Sequence, residues 1–199
     1  MPTHDKNLSR AEREGGPITA LDMKAVKASE AIADNPAVKA VGKASELADQ
    51  PPLIGASIAV GLAGLVLRNP RLMRTGLRML ASHGLATGVK TVIKDNFDRP
   101  RPNKVEKDGE HDVEPGHSKE GDERSLPSGH SAGAIAVARA IGREYSKVGP
   151  VAVTAAGLAA AVQVPRKAHF PSDVALGLAI GWLSEVVVNA VTDRVLRKP

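Results

Sequence analysis

Alanine, glycine, valine and leucine gather into five blocks along this chain, at residues 53–67, 72–93, 130–142, 148–165 and 173–192, and most of the charge collects between them. Two of the blocks, "LIGASIAVGLAGLVL" at 53–67 and the stretch 148–165, carry no charge at all. Alanine and leucine dominate and no period-two alternation interrupts them, so the blocks read as helices rather than strands. A helix that crosses a bilayer needs about 20 mostly apolar residues, with a range of roughly 17–25. Only 148–165 meets that length without a charge, and the others require tolerated polar positions at their ends. The pattern predicts an all-α helical bundle of about five apolar core helices. Near-neutral mean hydropathy, −0.14, is compatible with a soluble bundle as well, but uncharged blocks of this length favour embedding in a membrane bilayer.

The 199 residues suit one domain with a real core. Cysteine is absent, which removes disulfides and thiolate metal sites. One Trp, one Tyr and two Phe leave little to stack on bases, so the net charge of +5 is not a nucleic-acid signature. It fits an anionic substrate or an anionic membrane surface.

Outside the blocks, residues 1–17 are polar and end in Gly-Gly-Pro, the composition of a disordered N-terminus. Residues 18–50 read as an amphipathic helical segment, two short helices broken at Asn35-Pro36. The remainder, 51–199, forms the main helical domain. Within it, 95–126 holds ten acidic and six basic residues and no apolar run, which predicts a long acidic surface loop. His111 and His117 in that stretch read as solvated loop residues rather than metal ligands.

Three short constellations lie at the ends of the apolar blocks. In "KDNFDRPRP", residues 94–102, two prolines stiffen the exit from a helix, and the arm carrying Arg99 and Arg101 near Lys94 can surround an oxyanion. In "SLPSGHSAGA", residues 125–134, a turn opens a helix whose first-turn N–H groups at Ser128, Gly129 and His130 offer a phosphate cradle, with His130 at its mouth to give or take a proton. In "VPRKAHFPSDVALG", residues 164–177, Asp173 sits four residues beyond His169 and can orient its imidazole, leaving one ring nitrogen as a free lone pair. If neighbouring helices run antiparallel, all these ends fall on one side of the bundle. Two histidines, a carboxylate, several cations and a helix N-terminus then meet. That is the inventory for phosphoryl transfer without a metal or other cofactor.

The combined pattern resembles the type 2 phosphatidic acid phosphatase superfamily, which also takes in the bacterial class A acid phosphatases and the vanadium haloperoxidases. Its signature runs K-x6-R-P, then P-S-G-H, then S-R-x5-H-x3-D. Lys94 with Arg101-Pro102 matches the first part, Pro127 to His130 the second, and His169 with Asp173 the end of the third. The resemblance covers roughly residues 50–195. It implies that Lys94 and Arg101 bind the phosphoryl oxygens, helped by Ser128 and Gly129. It also implies that His130 protonates the leaving alkoxide and that His169, oriented by Asp173, attacks phosphorus to form a phosphohistidine. The implied substrate is a phosphorylated lipid or small phosphate ester, in the class of phosphatidic acid, phosphatidylglycerophosphate or an isoprenoid diphosphate. Gln163 and Val162 stand where the signature has Arg and Ser, so one cation is missing, and Arg166, three residues on, is the expected substitute.

Segments 68–74, 143–147 and 193–199, at the other ends of the blocks, hold eight Lys or Arg against two acids. The positive-inside bias then puts the active site outside the cytoplasm and the C-terminus inside, as for a bacterial inner-membrane protein. Two other readings remain: a non-catalytic anion-binding membrane protein with a degenerate third motif, and a haloperoxidase-like enzyme.

Overall fold

The computed structural model describes residues 2–14, 16–109 and 111–196. Nine α-helices are present among them: α1 (Pro2–Glu14), α2 (Pro17–Ala33), α3 (Pro36–Ala44), α4 (Gln50–Val66), α5 (Pro70–Lys94), α6 (Pro102–Asp108), α7 (Gly129–Glu144), α8 (Gly149–Ala161) and α9 (Pro171–Leu196). The boundaries follow from residue chemistry. Proline opens α2, α3, α5 and α6, where its missing N–H has no intrahelical acceptor to lose. The side chains of Asn35, Asp49, Asn69 and Ser128 cap α3, α4, α5 and α7.

The five apolar blocks become α4, α5, α7, α8 and α9, an all-α bundle with α7 at its centre. Helix α7 packs on α5, α8 and α9, and buries Ser131 to Ala138 without interruption. Small residues allow close approach. A Cβ at Gly181 would lie 2.1 Å from the Ala132 carbonyl oxygen, and one at Gly177 would lie 2.5 Å from that of Ser128. No larger residue fits either place, and the resulting contact brings the start of α9 against the start of α7.

Three expectations are corrected. Residues 2–14, expected as part of a disordered tail, form α1, which buries Leu8 and Ala11 with Met23, Val26, Val105 and Phe170 in one apolar cluster; residues 1 and 15 lie outside the described residues. A polar composition hid two apolar side chains placed three apart on one helical face. Residues 95–126 are not a plain loop. They contain α6, a 3-10 turn at Gly121–Glu123 and a two-stranded antiparallel ribbon of β1 (Phe97–Asp98) and β2 (Glu114–Pro115). Ion pairs between Lys104 and Glu123 and between Arg124 and Asp95 tie parts of that segment together. The 148–165 block, expected to be the full-length span, stops at Ala161. Gln163 to Lys167 turn instead, with Pro165 unable to extend a helical ladder and Lys167 at a φ of 54°.

The helix long and apolar enough to cross a membrane is α9, over Pro171–Arg194, and only 39% of its apolar window is buried. Helix α4 passes the same test together with residues 36–48, from which it is bent by 60°. Leu62 and Leu65 of α4, Leu77 and Val92 of α5, and Leu183 and Val187 of α9 all face outward. Exposed apolar surface on this scale is a lipid or partner face rather than the scattered exposure of a soluble monomer.

Candidate active site

His169 lies in the turn between α8 and α9. The turn is stapled by Gln163, whose main-chain oxygen accepts from the Ala168 and His169 N–H groups at 3.1 and 3.3 Å. The Gln163 side-chain amide donates to the Ala159 carbonyl at 2.9 Å and to Ser45 Oγ at 3.3 Å. Phe170 anchors the other side of the turn in the cluster shared with α1 and α2. His169 is therefore held from both sides and is itself 3% exposed.

Asp173, in the first turn of α9, is fully buried. Its Oδ2 accepts from Ser125 Oγ at 2.5 Å and from the Phe170 N–H at 2.9 Å, while its Oδ1 accepts from Arg99 Nη1 at 2.6 Å. His169 Nδ1 is 3.8 Å from Asp173 Oδ2, within ion-pair range but beyond a hydrogen bond, so this buried nitrogen has no partner. Burial pushes the imidazole below the ordinary histidine range. The Asp173 carboxylate opposes that shift, and the Arg101 and Lys94 charges add to it.

The cations come from the end of α5 and the segment after it. Lys94 Nζ donates to the Arg124 main-chain oxygen. Arg101, the residue before α6, donates through Nε to the Gly121 oxygen at 2.9 Å. Burial draws its guanidinium below the ordinary value, and Asp122 and Asp173 work against that. Arg99, expected beside them on the oxyanion arm, turns inward. It stacks on the Phe170 ring, 4.4 Å from the centroid, and is committed to carboxylates.

At the start of α7 the cradle is narrower than its sequence suggests. The Ser128 N–H donates to the Asp173 carbonyl at 3.0 Å, and Ser128 Oγ caps the helix, accepting from the Ser131 N–H and hydroxyl. Gly129 and His130 supply the remaining first-turn N–H groups, which lack intrahelical acceptors. A Cβ on Gly129 would come 3.0 Å from Lys90 Nζ, so a second lysine of α5 reaches this helix end. His130 is half-buried there, and its Nε2 has no partner.

Arg166 points elsewhere. Its guanidinium donates to the Gly42 oxygen at 3.1 Å and to Ser45 Oγ at 2.9 Å, and pairs with Glu46. It thus meets the Gln163 amide at the same hydroxyl, beside the position where the signature has its Arg.

The bundle accordingly brings Lys94, Arg101, Ser128, Gly129, His130, His169 and Asp173 to one end, with Arg166 at the margin. Sequence reading missed Lys90, Ser125 and Asp22. Only Lys90 carried a signal, one helical turn before Lys94. A cavity of about 540 Å³ lies between α1 and the acidic segment, lined by Arg10, Asp98, His111 and Glu123, and includes none of the site residues. Among the described residues, no group of three or more His, Asp or Glu is arranged to hold a metal ion.

The whole chain superposes on the crystal structure of a transmembrane PAP2-type phosphatidylglycerolphosphate phosphatase from Bacillus subtilis, with a TM-score of 0.70 and 20% identity over 100% of both chains. Aquifex aeolicus LpxE matches with a TM-score of 0.66 and 20% identity, over 85% of this chain and 95% of that one. At this identity the likeness speaks for the fold. No curated protein matches the sequence significantly. The sequence profile of the PAP2 superfamily matches residues 75–197, more than half of the chain and the part that carries both histidines and Asp173, and the chain belongs to that superfamily.

Proposed function

We propose that the protein is a metal-independent lipid-phosphate phosphatase that works through a phosphohistidine. The observation that carries this reading is the buried His169–Asp173 pair, with the Lys94 and Arg101 charges close enough to bear on the imidazole. Lys94, Arg101 and the Gly129 and His130 N–H groups bind the phosphoryl oxygens, and Ser128 shapes the cradle through its cap rather than by touching the substrate. His169 attacks phosphorus as Asp173 orients it and stabilises the cation that forms. The bond to the leaving alkoxide breaks, and His130 gives that oxygen a proton. Water, deprotonated by His130, then cleaves the phosphohistidine and releases phosphate.

The lipid class rests on two features. Outward apolar faces on α4, α5 and α9 suit a bilayer. An apolar groove of about 450 Å³, lined by residues such as Leu53, Ala134, Val137 and Ala159, opens beside Ser45, where Arg166 and Gln163 converge, and has room for part of an acyl or prenyl chain. The two clusters of charge point to a bacterial inner-membrane setting with the site on the extracytoplasmic side. Arg71 and Arg74 gather on Glu144 at the far end of the bundle, while the acidic segment flanks the site. Arg197 and Lys198, which add to that basic end in sequence, lie outside the described residues.

Phosphate release from a panel of lipid phosphates by detergent-solubilised protein tests the reading. Release should persist in chelator, fall with vanadate, and drop at least roughly 10³-fold in His169→Ala. Undiminished release by that variant refutes the assignment. One observation favours a second reading: Gln163 replaces a cation and Arg166 is already paired with Glu46. Vanadate binding without hydrolysis of any lipid in the panel would select a non-catalytic anion-binding protein.

A further inference from the structure

We propose that Asp22 of α2 is a positioning residue for phosphoryl transfer, an inference that rests on the phosphatase reading above. Asp22 is 3% exposed and both its oxygens are occupied. Oδ1 accepts from the Ser172 N–H at 3.0 Å, and Oδ2 accepts from Arg99 Nη2 at 2.6 Å and from the Ser172 hydroxyl. The other arm of the same guanidinium, Nη1, donates to Asp173 Oδ1 at 2.6 Å and to Ser172 Oγ at 2.7 Å. A continuous chain therefore runs from Asp22 through the Arg99 fork to the carboxylate that faces His169.

Each link is directional. A guanidinium is planar, so fixing one edge on Asp22 fixes the other edge and with it the tilt of Asp173. Asp22 also bonds the first turn of α9 from outside, where the Ser172 N–H has no intrahelical acceptor. One carboxylate against Arg99 would leave the other edge of a buried cation open, and the second closes it. Helix α2 lies outside the segment matched by the family profile, so this support comes from the N-terminal part of the chain. Met23 and Val26, adjacent and one turn on, seat α2 on Phe170, the residue after His169.

Asp22→Asn keeps the shape but turns one acceptor into a donor facing Arg99 and Ser172. In the full-length, detergent-solubilised protein it should lower kcat roughly tenfold to hundredfold with KM within about twofold. Arg99→Lys, which keeps the charge but not the fork, should do the same, and the double variant should lose no more than Arg99→Lys alone. The second readout is the NMR titration of the His169 imidazole, which faces Asp173 from α9, Lys94 from α5 and Arg101 before α6, with Arg99 behind Asp173. Asp22→Asn should move that titration downward, because a negative charge is lost and Asp173 is less well aimed. Wild-type kcat with an unmoved His169 titration in Asp22→Asn overturns the proposal, as do fully additive losses in the double variant. Equal release by wild type and His169→Ala would instead refute the phosphatase reading, and the His169 titration would still decide the role of Asp22.

Discussion

The two ends of the bundle hold similar residues and treat them oppositely. At the end away from the histidines, Arg78 is buried on α5 and completely engaged: it pairs with Glu144 at 3.0 Å and with Asp193 at 2.9 Å, and bonds Asn189. Glu144 also takes Arg74, and nearby Arg139 pairs with Glu185 while lying over the Trp182 ring. At the other end, His169 Nδ1, His130 Nε2 and Arg99 Nε are buried without partners. Further such atoms occur midway along α5, at Ser82 and His83, but none among the described residues of the Arg78 cluster. Buried polar groups in folded proteins are overwhelmingly paired, so unpaired ones beside paired carboxylates support the site proposed at this end. The Arg78 end is built for stability.

Crossing the two ends gives the largest contrast. His169→Ala should remove activity by the roughly 10³-fold or more given above while leaving the thermal unfolding midpoint near that of the wild type. Arg78→Ala removes the buried cation shared by Glu144, Asp193 and Asn189, and should cost up to about 3–5 kcal/mol of stability with kcat per folded molecule retained. Denaturation in detergent, run beside phosphate release, separates the two; a large kcat loss in folded Arg78→Ala would erase the distinction.

Arg166→Ala should have a smaller effect. A charged hydrogen bond to phosphate contributes about 1.5–3 kcal/mol, so KM should rise roughly tenfold to hundredfold if Arg166 replaces the cation missing at Gln163. An unchanged KM would assign Arg166 to its contacts with Gly42, Ser45 and Glu46 alone.

The smallest effect is in pH. Burial lowers the His169 pKa, so the neutral imidazole that the proposed mechanism needs persists below the ordinary histidine value of about 6.5. The acid limb of kcat/KM should lie under that value. Asp173→Asn removes the carboxylate that raises the imidazole pKa and should move the limb lower still, alongside its loss in rate.

Much of this was legible in residue order. Helix-favouring composition marked all five bundle helices, and the spacing of Lys94, Arg101, His130, His169 and Asp173 was enough to group them, because each lies at a block end and alternate ends of antiparallel helices coincide. Boundaries were less legible. The block at 148–165 looked like the longest uncharged span, yet the turn at Gln163–Lys167 shortens α8, and α9 spans further despite carrying Asp173 and Glu185. Polar composition also made residues 1–17 look unable to fold, because two buried side chains, Leu8 and Ala11, are too few to register as a pattern.

What the sequence determined by itself was the class of fold and the candidate residues of the site, since both depend on short-range properties: helix propensity, apolar runs and fixed spacings within a turn or two. Tertiary structure decided how those residues are held. Arg99 reads as one more cation beside Arg101 until the fold buries it between Asp22 and Asp173, 77 and 74 residues away in sequence. The Ser128 N–H reads as one more free first-turn donor until α9 comes close enough at Gly177 for the Asp173 carbonyl to take it. Partners so distant leave no local trace, because burial and pairing exist only once separate helices have closed on one another.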